Sequence, residues 1–331
     1  VVLQLGRERQ WISGISARGT GIDEAYVIKR KDPPRKGRKS NHFFSLTVSD
    51  ATGEIKVNYW GNSDESVVRK AYDSVHEGAI VRIKGTSDQF NDAMVIQVNI
   101  SNGEDLIEEA KAGDYDPADF VACTEKDTEA MYTELQGLLA QISDPDINAV
   151  LGKLFGNADL VQKFKSAPAS VSYHCAWVGG LLEHTLNVAR ACDFISRMYP
   201  ALDRDLLLAS AALHDIGKVC CYNVSTTITE SVSGRLLGHI VIGAQMVEDA
   251  CNRCDGFPQA LRTKLVHMVL ASHGTNEKGS PAEAAIPEAL ALNFADEMDA
   301  KLERFIRARG NGGPEDTFVI DRSLGTKIYL G

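Results

Sequence analysis

The hydrophobic pattern of this 331-residue chain changes period once, and that change limits what it can fold into. From Trp11 to about Ile100, apolar and β-branched residues come in short runs broken by turn residues, as in Ala25–Ile28, His42–Val48, Glu54–Trp60, Ala79–Lys84 and Met94–Val98. From Glu129 onward they recur at helical spacing. One repeating architecture is excluded. Two domains are expected, a β domain first and a helical one second, and at about 150 residues per domain each can bury its own core.

Asp50-Ala51-Thr52-Gly53 is a hairpin signal, and one helical stretch near Ser63–Tyr72 separates the third strand run from the fourth. Three strands, a helix and two further strands are the plan of an OB-fold barrel, placed at residues 1–103. Residues 101–130 carry 2 Lys/Arg against 10 Asp/Glu, whereas residues 1–100 carry 15 against 12. With Gly113 and Pro117 and few large apolar groups, residues 104–128 read as an acidic, solvated linker. Residues 129–331 read as an all-α bundle, with Asp144-Pro145 as one helix start and further helices near 179–199, 203–217, 238–255, 258–273 and 284–309. The net charge of -10 therefore hides a mildly basic β domain, which is compatible with a nucleic-acid partner.

No apolar stretch approaches the roughly 18 residues of a membrane span, so no membrane partner is expected. Seven cysteines, two of them adjacent at Cys220 and Cys221, make a poor disulfide framework. Val1 to Arg7 are too short and too soon charged for the apolar core of a signal peptide. The cytoplasm is the expected compartment.

Six of the eight histidines lie in the helical part, at 174, 184, 214, 239, 267 and 273. His214-Asp215 ends the apolar run Leu206–Leu213. Burying such a pair is costly unless something compensates, and a divalent metal is the usual compensation. Successive helical side chains diverge by about 100°, so both can meet one ion only at the helix end, where Gly217 lets the chain turn away and Lys218 follows. A competing pattern, Cys251-x2-Cys254-x12-His267-x5-His273, has zinc-finger spacing, but its cysteines fall in a helical stretch and read as ordinary helix-face residues.

The ordered set His184, His214-Asp215-Ile216-Gly217-Lys218, His239 in Leu237–Ile240, His273 in Ala271–Gly274 and Asp296 in Phe294–Glu297 resembles the HD-domain metal-dependent phosphohydrolases. With the barrel ahead of it, Tyr173-His174, Gly179–Thr185 and Arg235–His239, the whole chain resembles the 3′-to-5′ exoribonucleases of the YhaM type. The resemblance implies that His184, His214, Asp215 and Asp296 are the primary metal ligands, and that Asp215 bridges to a second ion held by His239 and His273. It further implies Asp215 and Lys218 as the catalytic pair, Lys218 neutralising phosphoryl oxygens. Mixed imidazole and carboxylate ligands suit Mn²⁺, which the family favours, with Fe²⁺, Co²⁺, Zn²⁺ or Mg²⁺ as alternatives. Gly274 departs from the pattern, standing where some HD families carry a second histidine.

Lys29, Arg30, Lys31, Arg35, Lys36, Arg38 and Lys39 crowd one short segment, which reads as an exposed loop that guides a phosphate backbone. Phe43, Phe44, Tyr59, Trp60 and Phe90 lie in or beside the strands and could stack bases, but alternation sends Phe43 and Phe44 to opposite faces, and likewise Tyr59 and Trp60. Phe43 and Trp60 are taken as base-stacking candidates, with His174 and Arg235 as further contacts. The expected activity is metal-dependent 3′-to-5′ hydrolysis of single-stranded RNA to nucleoside monophosphates, with single-stranded DNA as an open substrate and a homo-oligomer as an open state. Rival readings are a phosphohydrolase of nucleotides or cyclic dinucleotides, and a nucleic-acid-binding adaptor whose helical domain is only structural.

Overall fold

The computed structural model describes residues 9–37, 41–61, 64–90, 93–100, 105–111, 113, 115–116, 119–170, 175, 177–225, 227–310, 317–321 and 325–331. The chain divides into two compact units, Val1–Ala122 with Ser225–Thr227, and Cys123–Val224 with Ile228–Gly331.

The first unit is built from β1 (Gly21–Lys36), β2 (His42–Asp50), β3 (Gly53–Trp60), α1 (Glu65–Asp73), β4 (Ile80–Phe90), β5 (Ala93–Asn99) and β6 (Leu106–Glu109). Strand order β1-β2-β3-β5-β4, with β1 also paired to β4, closes a five-stranded barrel in which β3 and β5 run parallel. Alternation decides which residues fill it. Ile55, Val57 and Tyr59 are buried while the alternating Glu54 and Lys56 face water, and Tyr26, Phe44, Leu46, Ile83 and Ile96 complete the interior. At the β2–β3 turn Asp50 accepts from the backbone and hydroxyl of Thr52 and from the Ile12 amide, so the hairpin carboxylate also fastens the incoming chain.

Two expectations are corrected here. The basic segment is not a loop: Lys29 to Lys36 belong to the 16-residue β1, whose first half pairs with β4 and whose second half pairs with β2 down to Lys36 opposite His42. Pro33 and Pro34 fall within a register shift between Asp32 and Arg35, so the strand absorbs them at an irregularity rather than ending there. Nor is residues 104–128 a solvated linker throughout. β6 adds to the barrel sheet against β4, with Glu108 opposite Arg82, and Phe120 is buried against Ala25, Val27 and Ile80. Asp119 forms a 2.8 Å ion pair with Arg9. The acidic residues mask a short strand whose apolar content is only Leu106 and Ile107.

The second unit contains α2 (Thr128–Leu139), α3 (Pro145–Phe155), α4 (Ala158–Ser166), α5 (Gly180–Met198), α6 (Arg204–Leu213), α7 (Lys218–Cys221), β7 (Tyr222–Val224), β8 (Ile228–Glu230), α8 (Val232–Leu237), α9 (His239–Asn252), α10 (Gln259–Leu270), α11 (Pro287–Gly310), β9 (Phe318–Asp321) and β10 (Thr326–Tyr329). From Leu206 to Leu213 every residue of α6 is buried, which makes it the central helix, packed by α5, α11 and α10. Asp144 caps α3 with Pro145 in its first turn, as the sequence indicates. None of the helices among the described residues is long and apolar enough to cross a membrane.

Asp205 ties α6 to the start of α3: one oxygen accepts from the Ser143 amide, the Ser143 hydroxyl and the Asp144 amide at 2.7–2.9 Å. Burial would raise its carboxyl, but these hydrogen bonds and the charge of Arg204 hold it below the usual carboxylate range. A depressed folded value means the stabilisation is present at neutral pH and is lost as pH falls through that value. Asp205→Ala is expected to destabilise by about 1–2 kcal/mol at pH 7 in denaturant titrations. The gap from the parent protein should narrow below about pH 4, and an undiminished gap there would contradict the hydrogen-bonded carboxylate.

Candidate metal centre and nucleic-acid interface

The α6 helix ends at Leu213, and the turn that follows carries His214, Asp215 and Gly217 into Lys218 at the start of α7. Gly217 packs so tightly on α9 that a Cβ there would lie 2.1 Å from the His239 carbonyl and 2.6 Å from the Gly243 amide. That close approach brings the first residue of α9, His239, to Asp215. His184 reaches the same point from the first turns of α5, Asp296 from α11, and His273 from the turn after α10.

These side chains form two groups, His184 with His214 and Asp296, and Asp215 with His239 and His273; within each, one ligand atom per residue lies within 4.8 Å of the others. Asp215 faces both. Its Oδ2 is 3.4 Å from His214 Nε2 and 3.5 Å from His184 Nε2, while its Oδ1 is 3.3 Å from His239 Nε2.

The chemistry of the donors fits cations. His214 Nδ1 sits 2.9 Å from the Ala211 carbonyl, and His184 Nδ1 sits 2.7 Å from Asp299, so both Nδ1 atoms are engaged and both Nε2 atoms face inward. Those two Nε2 atoms are 3.3 Å apart, with Asp296 Oδ1 3.2 Å from His184. Asp215 Oδ1 and His239 Nε2 are buried and make no hydrogen bond. Imidazole and carboxylate acceptors that converge in this way repel one another unless a positive charge, a proton or a cation, lies between them. Mixed imidazole and carboxylate ligands are suited to Mn²⁺, Fe²⁺, Co²⁺ or Zn²⁺.

The electrostatics match. Burial opposes ionising Asp215, yet the Lys218 ammonium first, and then the neighbouring His214 and His239 imidazoles, hold its carboxyl well below the usual range. Asp296 is likewise depressed, burial being outweighed by its hydrogen bond to His184. Burial disfavours the charged form of His184, but Asp296 and Asp299 raise it to about 9. For His239 burial wins, lowering it to about 3 and leaving a neutral imidazole. Lys218 is buried with its ammonium 2.6 Å from Asp215 Oδ2, and that carboxylate overcomes burial and raises it.

Asp299 and Asn187 were not legible as site residues. Asp299 orients His184, and the Asn187 amide donates to the other Asp299 oxygen at 2.9 Å. The available signal was the spacing of Asp296 and Asp299, three apart on one helix face. Gly274 has φ +84, and a Cβ there would lie within 3 Å of the Asn293 side chain, so the position admits no histidine without displacing that side chain. Cys251 is buried on α9, and among the described residues no metal-capable group includes it or Cys254. His267 Nε2 accepts from the Ala285 amide.

On the barrel, Phe44 and Tyr59 are buried whereas Phe43 and Trp60 are partly exposed and stacked, ring centroids 4.6 Å apart. Pairing sets Arg35 opposite Phe43 and Phe43 opposite Trp60, so a cation and two aromatics share one face. Lys29, Arg30, Arg35 and Lys36 are exposed. Lys31 is engaged inside the unit, its ammonium bonded to the Tyr72 and Val75 carbonyls and over the Tyr72 ring. Phe90 is exposed at the end of β4. Arg235, on α8, is exposed and pairs with Glu230 at 2.9 Å. Arg38, Lys39 and His174 lie outside the described residues.

A closed barrel followed by a helical His/Asp centre defines a two-domain class, and comparison agrees: residues 24–106 match the OB-fold nucleic acid binding domain family and residues 181–301 the HD domain family. The chain is similar to the 3′-5′ exoribonuclease YhaM of Halalkalibacterium halodurans, to which it is 28% identical over 285 residues, 86% of this chain and 85% of that protein. Among solved structures, the p204 HINb domain is 19% identical with TM-score 0.24, covering 31% of this chain and 47% of its own. The OB domain of Ta0387 from Thermoplasma acidophilum is 16% identical with TM-score 0.21, covering 28% and 77%.

Gly217→Ala is expected to push α9 from Asp215, destabilising the fold by about 1–3 kcal/mol. Bound transition metal, measured by elemental analysis after dialysis, should fall with it; an unchanged metal content would show that the close approach does not set the site.

Proposed function

We propose that the chain is a metal-dependent 3′-to-5′ exoribonuclease that works on single-stranded RNA in the cytoplasm and releases nucleoside monophosphates. The observation that carries this reading is the division of Asp215 between two groups of ligand atoms in a domain of the HD family, behind a barrel of the OB-fold nucleic-acid-binding family. The activity of the YhaM relative gives the direction and the substrate class. Seven free cysteines fit a reducing compartment.

His184, His214, Asp215 and Asp296 would hold one ion, and Asp215, His239 and His273 a second, with Mn²⁺ the leading candidate. Bound there, a metal pair supplies a deprotonated water and charge compensation for a phosphodiester undergoing in-line attack. The protein's own part is positional. Asp299 and Asn187 fix the orientation of His184, and the Ala211 carbonyl fixes that of His214. Lys218 holds Asp215 in register and keeps its proton, so it remains a cation beside the place the phosphate would occupy. On the barrel, Phe43 and Trp60 offer flat faces to successive bases, while Lys29, Arg30, Arg35 and Lys36 follow the backbone.

Asp215→Ala should abolish shortening of a 5′-labelled oligoribonucleotide while RNA binding is retained; cleavage surviving in metal-repleted buffer would refute the assignment. Replacing Lys29, Arg30, Arg35 and Lys36 by Ala should weaken binding and lower the salt slope by about 0.7 for each phosphate no longer neutralised. An unaltered slope would remove β1 from the RNA path. Product analysis separates the reading from a nucleotide phosphohydrolase, which would leave the strand intact and consume mononucleotide.

A further inference from the structure

The outer face of the barrel carries a polar row beside the stacked Phe43 and Trp60. Register sets Ser45 of β2 opposite Asn58 of β3, and Asn58 opposite Gln97 of β5, so the three side chains share the face of the aromatic pair, one same-face position along the strands. Ser45 is buried, while Asn58, Trp60 and Gln97 are half-buried.

Both amides in this row are held by their oxygen. The Trp60 indole N–H donates to Gln97 Oε1 at 2.5 Å, and the Ser45 hydroxyl donates to Asn58 Oδ1 at 2.8 Å. An indole nitrogen only donates, so Gln97 cannot turn its NH₂ toward Trp60 without losing that bond. Gln97 Nε2 and Asn58 Nδ2 are thereby left as donors, and among the described residues neither has a hydrogen-bond partner. A half-buried donor in that state is a cost that a bound acceptor removes. Asp32, opposite Ser45 at the end of the row, is an acceptor on the same face, and Arg30 stands 3.5 Å from it.

Stacking on an aromatic ring discriminates little among bases, because each has a flat face. Hydrogen bonds to a base edge do discriminate. Cytosine and adenine present exocyclic amines that donate, whereas uracil and guanine present carbonyls at the corresponding place. An amide donor beside a stacked base bonds a carbonyl, and it meets an amine hydrogen to hydrogen.

We infer that Gln97 and Asn58 give the barrel a preference for the keto bases, uracil and guanine, over cytosine and adenine. Trp60 supplies the stacking face, Gln97 both fixes that ring and reads the edge of the base lying on it, and Asn58 adds a second donor alongside. The inference rests on the barrel being an RNA-binding surface. It adds a base preference that the cations of β1, which meet phosphates, do not provide.

The test is fluorescence anisotropy of the full chain with 5′-labelled oligouridylate and oligocytidylate of equal length, with a chelator present to prevent cleavage. Oligouridylate is expected to bind about five-fold tighter. Gln97→Glu keeps an oxygen for the Trp60 indole but exchanges the donor for an acceptor, and carboxylates accept from the cytosine amine. The preference should vanish or turn toward oligocytidylate. The added negative charge acts on both strands alike, and a residue that only anchored Trp60 would change both affinities by one factor, so the ratio isolates base reading. A parent protein that does not favour oligouridylate, or a ratio unmoved by Gln97→Glu, would overturn the inference and leave the RNA-binding reading standing. Binding of neither strand by the parent would overturn both.

Discussion

The carboxylate of Asp215 is the point on which the helical unit is organised. It is almost fully buried, where an isolated charge is untenable, and it is kept ionised chiefly by Lys218 on one oxygen, with imidazoles beside both. Lys218 supplies the compensating charge at one oxygen, while the other faces the His239 imidazole. The surrounding architecture follows: α6 is apolar on all sides so that it can be central, it ends at Leu213 so that the next residues can turn inward, and Gly217 lets α9 close over the turn.

Separate helices bring the other ligand candidates to it, and two of the imidazoles have their own support. His184 is oriented by Asp299, which is held by Asn187, while His214 is oriented by a carbonyl one turn back in α6. Such supports fix which ring nitrogen is free, and they do so whether or not a cation is present. The barrel meets a different requirement. Its aromatic pair and strand-borne cations form a surface rather than a pocket, as suits a chain-like ligand whose bases all present similar faces.

Much of this was legible in the residues. His214 and Asp215 stand out because a His-Asp pair beside a long apolar run is costly and asks for a compensating charge, whereas His184, His239, His273 and Asp296 are implied by the resemblance to the HD-domain phosphohydrolases. The order of barrel elements could be read from alternation and one hairpin signal. Three features were hidden for physical reasons. The basic stretch looked like a loop because Pro33 and Pro34 usually end strands, yet they sit at a register shift that tolerates them. The strand Leu106–Glu109 was obscured by its acidic neighbours, since pairing to β4 uses backbone groups that composition does not report. Asp299 was missed because a carboxylate on a charged helix looks solvated until the partner helix is known.

The most direct measurement is anomalous diffraction from crystals grown with Mn²⁺, recorded on both sides of the manganese absorption edge. The account predicts two peaks flanking Asp215, one among His184, His214 and Asp296 and the other beside His239 and His273. Empty density between His184 Nε2 and His214 Nε2 in manganese-saturated crystals would contradict it.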